Sequence, residues 1–374
     1  MTRRLAHEPF GWRPTTLLIT IRRFRCAGCG HVWRQDTSRA AESRAKLSRR
    51  ALRWALEAVV CQHLSMARVA EALAVSWDTA NDAVLAEGRR ALIGDPARFD
   101  AVAVIGVDEH CWRHTRRGDK YVTVIIDLTP VREQTGPARL LDMVEGRSKA
   151  VFKTWLEAQS AEFRDGIEVV AMDGFTGFKT AAAETVPDAT AVMDPFHVAA
   201  LAGDALDRCR QRVQQDTLGH RGRSGDPLYG IRRVLRTGVE LLTDPPTRPP
   251  DRGLRRRQTR RGRSHLGHLP AHRGRLPHQR PRRRESTAGE GHRLDQPRRP
   301  QDLTELITLG RTLNRRAVDV LAYFDQPRTS NGPTEAINGR LEHLRGTALG
   351  FRNLTNYITR SLLETGGFRP RLHP

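Results

Sequence analysis

Three carboxylates, Asp108, Asp173 and Glu335, are the side chains of this 374-residue chain best suited to chemistry. Asp108 closes the apolar run 101–107, and Asp173 closes a second apolar run at 169–172. Apolar runs without alternation are typical of central strands that are covered on both faces. We therefore expect the two aspartates to emerge at the ends of neighbouring strands and to face each other.

Glu335 stands in a helical context instead. The three residues before it, Gly-Pro-Thr, are typical of a helix start. Glu335, Asn338 and Glu342 then fall at i, i+3 and i+7, on one face of that helix. Asn338 is accordingly an auxiliary candidate beside Glu335. The fold has to bring this helical acid to the two strand aspartates.

The chemistry that three such acids favour is metal-ion catalysis at phosphorus. Mg²⁺ and Mn²⁺ prefer oxygen ligands, and Mg²⁺ keeps several waters that a substrate phosphate can replace. Two ions held about 3.5–4 Å apart can stabilise the attacking and the leaving oxygen of an in-line displacement. A single aspartate is more often a surface charge or a helix cap, so the prediction depends on the three acids together.

The chain is strongly basic, with 63 Lys plus Arg, 42 Asp plus Glu and a net charge of +21. A positive surface favours nucleic acid through phosphate neutralisation and counterion release. No apolar run approaches the length of a membrane span, and no signal peptide is recognisable. The five cysteines are too scattered for a disulfide framework. We expect a cytoplasmic, nucleoid-associated protein that binds DNA and no membrane.

Several segments resemble the successive blocks of DDE transposases of the ISL-three insertion-sequence family. The resemblance implies a ribonuclease-H-like core, an α/β fold with a mixed five-stranded sheet flanked by helices. It also implies that Asp108, Asp173 and Glu335 are the three catalytic acids, residue by residue. The segments that carry it are Val107–Glu109, Met172–Gly174, Asp194–Val198, Asn331–Asn338, Gly350–Asn353 and Tyr357–Arg360.

The resemblance implies a mechanism and its partners. Metal held by the three acids activates water to cut a strand at the element's end, and the freed 3′-hydroxyl then attacks target DNA. The DNA partners are the terminal inverted repeats and the target, and joining two ends implies a homo-oligomer on DNA. Two alternatives stay open: a remnant that only binds the element's ends, and a nuclease of the same fold that cuts without joining.

Asp194 and His197 are two further auxiliary candidates. An aspartate before Pro195 is the usual arrangement for a helix N-cap with proline in the first turn, and this explains the pair without catalysis. The alternative is that His197 orients a water or a phosphate near the metal site. Glu109 follows Asp108 directly, so on a strand it points to the opposite face and lies outside that site.

The predicted segments are a partial zinc-ribbon-like segment at 1–45, a helix-turn-helix at 46–95, the two parts of the catalytic core at 100–243 and 301–374, and an insertion at 244–300. Cys26 and Cys29 resemble one half of a Zn²⁺ site, and structural zinc usually takes four ligands. Since the family carries another cysteine pair upstream, one interpretation is that the natural start precedes this chain. The favoured interpretation is an orphaned half-site.

The helix-turn-helix prediction comes from two short helical patterns, 66–73 and 77–85, separated by a tight break. The second helix would enter the major groove, where Thr79 and Asn81 are the exposed residues able to read base edges. The alternative is a plain helical hairpin used for packing. The basic residues best placed for contacts with the DNA backbone are Arg49, Arg50, Arg53, Arg89 and Arg90.

Residues 244–300 contain 17 Arg against 5 Asp plus Glu, which amounts to +12 of the net charge. The segment has no Val, Ile, Phe, Met, Trp or Tyr, so it is predicted to be disordered as written. One interpretation is a basic arm that follows DNA. The other is out-of-frame translation of a GC-rich gene, which 58 Arg against 5 Lys in the chain favours. Under the second interpretation, activity of this polypeptide is in doubt because the scaffold around Glu335 is altered.

Overall fold

The central element of the fold is a mixed five-stranded sheet. The computed structural model describes residues 2–11, 13–115, 118–236 and 303–373, and the predicted insertion at 244–300 lies outside the described residues. The described strands are β1 (Thr2–Phe10), β2 (Arg13–Thr20), β3 (Arg23–Arg25), β4 (Val32–Arg34), β5 (Val104–Cys111), β6 (Tyr121–Asp127), β7 (Arg139–Glu145), β8 (Val169–Met172) and β9 (Thr190–Met193).

The central sheet has the strand order β7-β6-β5-β8-β9. β5, β6 and β7 run antiparallel to one another, whereas β8 runs parallel to β5 and β9 parallel to β8. The apolar runs of β5 and β8 are buried on both faces, as their lack of alternation predicts. This α/β arrangement is compatible with the expected ribonuclease-H-like core. β1 with β2, and β3 with β4, form separate antiparallel hairpins.

The position of Asp108 within its strand differs from the prediction. β5 does not end at Asp108 but continues to Cys111, which pairs with Tyr121 of β6. β8 stops at Met172, opposite Val107, so the parallel side of β5 is open from Asp108 onwards. Asp108 is therefore held by strand hydrogen bonding on one side only, and the antiparallel partner extends the strand beyond it.

The helices are α1 (Arg49–Val60), α2 (Met66–Leu73), α3 (Trp77–Gly88), α4 (Thr129–Glu133), α5 (Lys149–Glu157), α6 (Ala161–Asp165), α7 (Thr176–Thr185), α8 (Pro195–Leu218), α9 (Pro227–Gly230), α10 (Thr304–Arg315), α11 (Ala317–Asp325), α12 (Gly332–Thr347), α13 (Leu354–Thr365) and α14 (Arg369–Leu372). A π-helical turn at Arg89–Ile93 follows α3, and 3-10 turns lie at Pro96–Phe99 and Val234–Arg236. In the described part of the chain, no helix combines the length and the apolarity needed to cross a bilayer.

Helices cover both faces of the central sheet. α5, α6 and α7 pack on the face to which Ile105, Val107 and Met172 point. α11, α12 and α13 pack on the opposite face, against Val104, Ala171 and their neighbours. Because side chains alternate along a strand, Asp108 shares the face of Val104, and α12 covers that face. The sheet is therefore what brings the helix of Glu335 towards Asp108.

α1, α2 and α3 form a second core with the C-terminal end of the chain. Serines cap all three helices: Ser48, Ser65 and Ser76 each accept a hydrogen bond from a backbone N–H three residues later. The buried residues of this core include Leu363 of α13 and Phe368 just before α14. The three helices thus pack against α13, which also covers the central sheet.

The two sides of segment 237–302 are held together by packing and by an ion pair. Leu235 before it and Leu303 after it are 2% and 1% exposed and belong to one apolar cluster with α8, α10 and α11. Arg212 of α8 donates to Glu305 of α10, with an Nε–Oε1 distance of 2.7 Å and an Nη2–Oε2 distance of 3.0 Å. Such bidentate pairs are among the stronger charged hydrogen bonds.

We expect the fold to form without residues 237–302. A linker of about 12 Gly and Ser residues in their place should be tolerated, because the two flanks are already held together by packing and by the Arg212–Glu305 pair. Circular dichroism is expected to show that the shortened chain is folded and unfolds cooperatively, with a Tm close to that of the full chain. Loss of cooperative unfolding in the shortened chain would contradict this expectation.

The Arg212–Glu305 pair is expected to make stability depend on pH in the acid range. Burial raises the pKa of Glu305, but the hydrogen bonds and charge of Arg212 outweigh it and lower that pKa to about 2, from an ordinary 4.5. The stabilisation is therefore complete above about pH 4.5 and is lost as the pH falls towards 2. Allowing for solvent screening, the pair contributes roughly 1–2 kcal/mol.

Urea unfolding at about pH 5 and about pH 3 measures this dependence. The free energy of unfolding should fall more steeply in the native protein than in Glu305→Gln, which lacks the titrating group. Asp216→Asn is the matched control, because the Asp216 carboxylate is 53% exposed and lies 3.5 Å from Arg212. It should keep the native pH dependence. Equal slopes for native protein and Glu305→Gln would refute the assignment.

Candidate active site

Asp108 and Asp173 lie next to each other where the parallel part of the sheet ends. β5 and β8 pair in parallel register through Val107 and Met172, so the next residue on each chain segment is one of the two aspartates. Asp173 follows the last residue of β8, as expected, and its Oδ1 accepts a hydrogen bond from the Phe175 backbone N–H at 2.8 Å. The turn into α7 is thereby fixed by the aspartate itself.

The Asp108 side chain is hydrogen-bonded to α12. Its Oδ2 accepts from Asn338 Nδ2 at 3.0 Å, and its Oδ1 accepts from the Glu109 backbone N–H at 2.8 Å. The Asn338 Oδ1 atom is buried and has no hydrogen-bond partner among the described residues. The helix therefore brings the auxiliary residue Asn338 directly to Asp108, with one amide oxygen still able to accept.

Burial and neighbouring acids raise the pKa of Asp108 and of Glu335. Burial, followed by the charges of Asp173, Glu109 and Glu335, raises the pKa of Asp108 to about 7. Burial and then the charge of Asp194 raise the pKa of Glu335, although its side chain is exposed. A cation placed among these carboxylates would relieve this repulsion and favour the ionised forms.

Gly106 lets α12 approach β5 closely. A Cβ atom at this position would lie 2.9 Å from Asn331 Oδ1, from Thr334 Oγ1 and from Ile126 Cγ1, which is closer than real Cβ atoms come to other groups. Asn331 also donates through Nδ2 to the Val107 carbonyl at 3.4 Å and accepts from the Thr334 hydroxyl through Oδ1. These contacts hold the N-terminus of α12, which carries Glu335, against β5.

Asp194 connects two elements. Its Oδ2 accepts from the His197 backbone N–H at 3.1 Å, which is the helix cap that the Asp-Pro pair predicts. Its Oδ1 accepts from the Asn331 backbone N–H at 2.9 Å, immediately before α12. Burial raises the pKa of Asp194. Asn331 was not a candidate from sequence, because its partner lies 137 residues away and no local pattern marks the contact.

His197 lies against the loop that follows Asp173. A Cβ atom at Gly174 would lie only 2.4 Å from His197 Nε2, so the imidazole ring is in contact with this glycine. The ring is thus next to a residue adjacent to Asp173. The His197 ring contacts the loop after Asp173, and the Asp194 carboxylate accepts from the residue that precedes α12. Both residues therefore lie near the acids.

A buried ion cluster supports the same loop. Arg316 donates through Nη1 to the Gly174 carbonyl at 3.2 Å and through Nε to Asp319. Asp319 is 3% exposed and also accepts from Lys179 Nζ at 2.8 Å. Sequence reasoning missed this cluster, because an arginine and an aspartate three residues apart are usually an exposed pair.

Across the ranges that the structure describes, no group of three or more His, Cys, Asp or Glu side chains has the spacing needed to hold a metal ion. The three predicted acids are nevertheless of the ligand type that hard cations prefer. The charges of Asp173 and Glu335 both raise the pKa of Asp108, and Asn338, which donates to Asp108, has a buried Oδ1 atom without a partner among the described residues.

The basic candidates for DNA contact all have partners within the protein. Arg49, Arg50, Arg53 and Arg90 pair with Glu42, Glu8, Glu57 and Glu87, and Arg89 donates to Thr359 Oγ1 at 2.9 Å. The four paired arginine side chains are between 50% and 74% exposed. Since exposed pairs contribute about 0–1 kcal/mol, a DNA phosphate can replace the carboxylate at little cost.

The two base-reading candidates on α3 differ in exposure. Asn81 is 5% exposed, so the expectation that it lies on the exposed face was wrong. Asn81 follows the buried Ala80 and lines a cavity whose other lining residues include several of the C-terminal helices. Thr79 is half-buried, and its hydroxyl accepts from Ser76 Oγ at 2.8 Å and from Lys46 Nζ at 3.3 Å.

Cys26 and Cys29 lie in the turn between β3 and β4. The Cys26 N–H donates to the His31 carbonyl at 2.8 Å, and the Gly30 N–H donates to the Cys26 carbonyl at 3.0 Å. Backbone hydrogen bonds from Cys29 and Gly28 lower the pKa of the Cys26 thiol. Within the described ranges no further ligands complete a metal cluster with this pair. Zinc binding by the half-site stays a prediction.

Two comparisons with known proteins agree on the family. The sequence model of the ISL-three DDE family, described as a transposase, matches residues 105–361, well over half of the chain. Two curated relatives, both named transposase for insertion sequence element IS1557, come from Mycobacterium tuberculosis strains CDC 1551 / Oshkosh and ATCC 25618 / H37Rv. Each is 31% identical over 159 residues, which cover 42% of this chain and 33% of the relative. The match thus spans a third of these relatives' length. The chain belongs to the ISL-three family of DDE transposases.

Proposed function

We propose that this protein is the transposase of an insertion sequence, which cuts DNA at the element's ends and joins the cut ends to target DNA. The observation that carries the proposal is the placement of Asp108. It lies beside Asp173 of the adjacent parallel strand and is hydrogen-bonded to Asn338, one turn after Glu335 on α12. Family membership supports the same activity.

In this proposal, Asp108, Asp173 and Glu335 hold two Mg²⁺ or Mn²⁺ ions, which would supply Lewis-acid stabilisation of the attacking and leaving oxygens. Asn338 orients Asp108 through its amide. Asp194 and Asn331 set the start of α12 and so the position of Glu335. His197 holds a water or a phosphate oxygen beside the Asp173 loop. No covalent bond between protein and DNA is required.

Recognition of the element's ends is assigned to α2 and α3 acting as a helix-turn-helix, with α3 in the major groove. Its support is the geometry of the pair, two capped helices separated by Ala74 in the left-handed conformation. Arg49, Arg50 and Arg90 exchange their carboxylate partners for DNA phosphates. The DNA partners are the terminal inverted repeats and the target, and the active species is a homo-oligomer because two ends must be joined.

The test is a cleavage and joining assay with the full-length protein. A labelled duplex that carries the element's terminal repeat is incubated in EDTA, in Mg²⁺ and in Mn²⁺. We expect a mobility shift in all three conditions, and a nicked strand and a joined product only with metal. A shift without nicking would identify a remnant that only binds the ends. Nicking without joined product would identify a nuclease instead.

A further inference from the structure

A cavity of about 650 Å³ lies between the N-terminal helices and the C-terminal helices. We call it the interhelical groove, lined by Met66 and Trp77 of α2 and α3, Arg340 and His343 of α12, Arg352 in the following loop and Arg360 of α13. Arg340, His343, Leu344 and Thr347 fall at i, i+3, i+4 and i+7 and form a different face of α12 from that of Glu335 and Asn338. The groove is therefore separate from the acids, although α12 borders both.

Many residues that line the groove have no role in the proposed metal-dependent cleavage. The segments Gly350–Asn353 and Tyr357–Arg360 contain none of the three acids, yet they carry part of the family resemblance. All four residues of the first segment and Arg360 of the second line the groove. Two stretches of sequence with no role at the acids thus converge on one cavity.

The groove is electropositive. Arg340 and His63 both pair with Glu364, at 2.7 Å and 2.9 Å, and the Glu364 side chain is only 5% exposed. Arg360 is 6% exposed, and its Nη1 atom has no hydrogen-bond partner in the part of the chain that the structure describes. Since Arg352 also lines the cavity, three arginines and one buried carboxylate belong to its lining. The excess positive charge favours an anionic ligand.

The groove also has an open apolar surface. The Trp77 side chain is 50% exposed although it begins a packed helix, and Leu349 at the rim is 97% exposed. Asn81, Asn353 and Asn356 belong to the same lining, and the Asn353 Oδ1 atom accepts from the Asn356 backbone N–H at 3.0 Å. A flat aromatic surface, amides and cations together are what a nucleotide needs: a stacking partner for the base, hydrogen bonds for its edge and positive charge for the phosphate.

We infer that the interhelical groove binds an unpaired nucleotide of DNA, with its base stacked on Trp77 and its phosphate near the arginines. A base within a duplex is already stacked on its neighbours, so only an unpaired one can use the exposed indole face. The inference depends on the proposed function only in taking DNA as the polymer. Arg340 lies five residues and Thr347 twelve residues after Glu335 on α12. These separations correspond to about 8 Å and about 18 Å along the helix axis. The groove and Glu335 are therefore close enough for one bound DNA molecule to contact both.

A binding assay in EDTA tests the groove apart from any cleavage. The probe is a single-stranded oligonucleotide of about 12 nucleotides that contains 2-aminopurine, whose fluorescence falls on stacking. With full-length protein, Trp77→Ala is expected to raise the Kd about 10- to 100-fold, and Trp77→Phe by less than about 3-fold, since a phenyl ring still stacks. Trp33→Ala is the matched control, because Trp33 is also an exposed tryptophan, at 44%, but lies outside the groove lining. It should change the Kd by less than about 2-fold.

A second pair of variants keeps the test independent of Trp77. Arg352→Glu and Arg311→Glu change the net charge equally, but only Arg352 lines the groove. We expect Arg352→Glu to weaken binding about 10-fold more than Arg311→Glu. The inference is overturned if both pairs bind the single strand equally well, or if a blunt duplex competes as strongly as the single strand. It is also overturned if Trp77→Ala changes only the oligomeric state. Absence of metal-dependent cutting by the native protein would refute the proposed transposase activity and leave this result unaffected.

Discussion

Replacing Asp108 with asparagine is expected to lower metal-dependent strand cleavage by about 10³-fold or more. A ligand that places a catalytic cation contributes several kcal/mol of transition-state stabilisation, and each 1.36 kcal/mol is a factor of about ten in rate. Asp173→Asn and Glu335→Gln are expected to act similarly. Single-turnover cleavage of the element-end duplex measures the effect, and a mobility shift in EDTA should be unchanged.

Glu109→Gln is the matched control for Asp108→Asn. Glu109 is the next residue and also a carboxylate, but it points to the other face of the sheet and pairs with Arg147 at 3.1 Å. We expect its cleavage rate to stay within about 3-fold of native, since an exposed pair contributes little. Equal losses in Asp108→Asn and Glu109→Gln would remove Asp108 from the metal site.

Asp108→Asn should raise the free energy of unfolding although it lowers cleavage activity. The pKa of Asp108 is raised from an ordinary 3.8 to about 7 in the folded protein, so the native protein loses stability as the pH rises from about 4 to about 7, and the penalty is constant above that. In EDTA at about pH 8, Asp108→Asn is expected to unfold with a free energy roughly 2 kcal/mol higher than native, after discounting for solvent screening. At about pH 4 the difference should vanish, because the native carboxyl is then protonated. A gain in stability with a loss of activity is typical of a functional acid.

Replacing Gly106 with valine is expected to have the second-largest effect. The added Cβ would meet Asn331, Thr334 and Ile126 at 2.9 Å, and the two methyl groups would enter the same packed space. Overpacking of this kind costs about 1–3 kcal/mol, and displacement of α12 by about 1 Å would lower cleavage about 100-fold. The loss should appear mainly in the cleavage step rather than in DNA binding, because α2 and α3 do not touch Gly106.

Gly339→Ala is the control for the Gly106 variant. Gly339 is in the middle of α12, and a Cβ atom there would meet no atom within 4 Å apart from the backbone of its own helix. Alanine should therefore stabilise the helix by about 0.5–1 kcal/mol and leave cleavage unchanged. Thermal unfolding and single-turnover cleavage of both variants provide the comparison. Native-like cleavage by Gly106→Val would show that the close approach of α12 to β5 is not what positions Glu335.

Local structure around the acids followed from the sequence to a considerable extent. The apolar run before Asp173 predicted β8, and Gly332-Pro333 predicted the first turn of α12. The break after Leu73 predicted where α2 ends and α3 begins. These features depend on periodicity, on proline and on helix caps, which act over a few residues and are therefore visible in the order of residues.

The tertiary structure decided which of these residues meet. Only the pairing of β5 with β6 shows that Asp108 lies inside a strand, and only the packed structure shows that Asn81 is buried. The contact of Asp194 with Asn331 joins residues 137 positions apart, and Arg316 reaches the loop of Gly174 from 142 positions away. Sequence alone therefore determined the elements and the chemical types of the acids, whereas the fold determined their neighbours. The reason is physical: periodicity and capping are local, but burial and hydrogen-bond partners depend on which elements pack together.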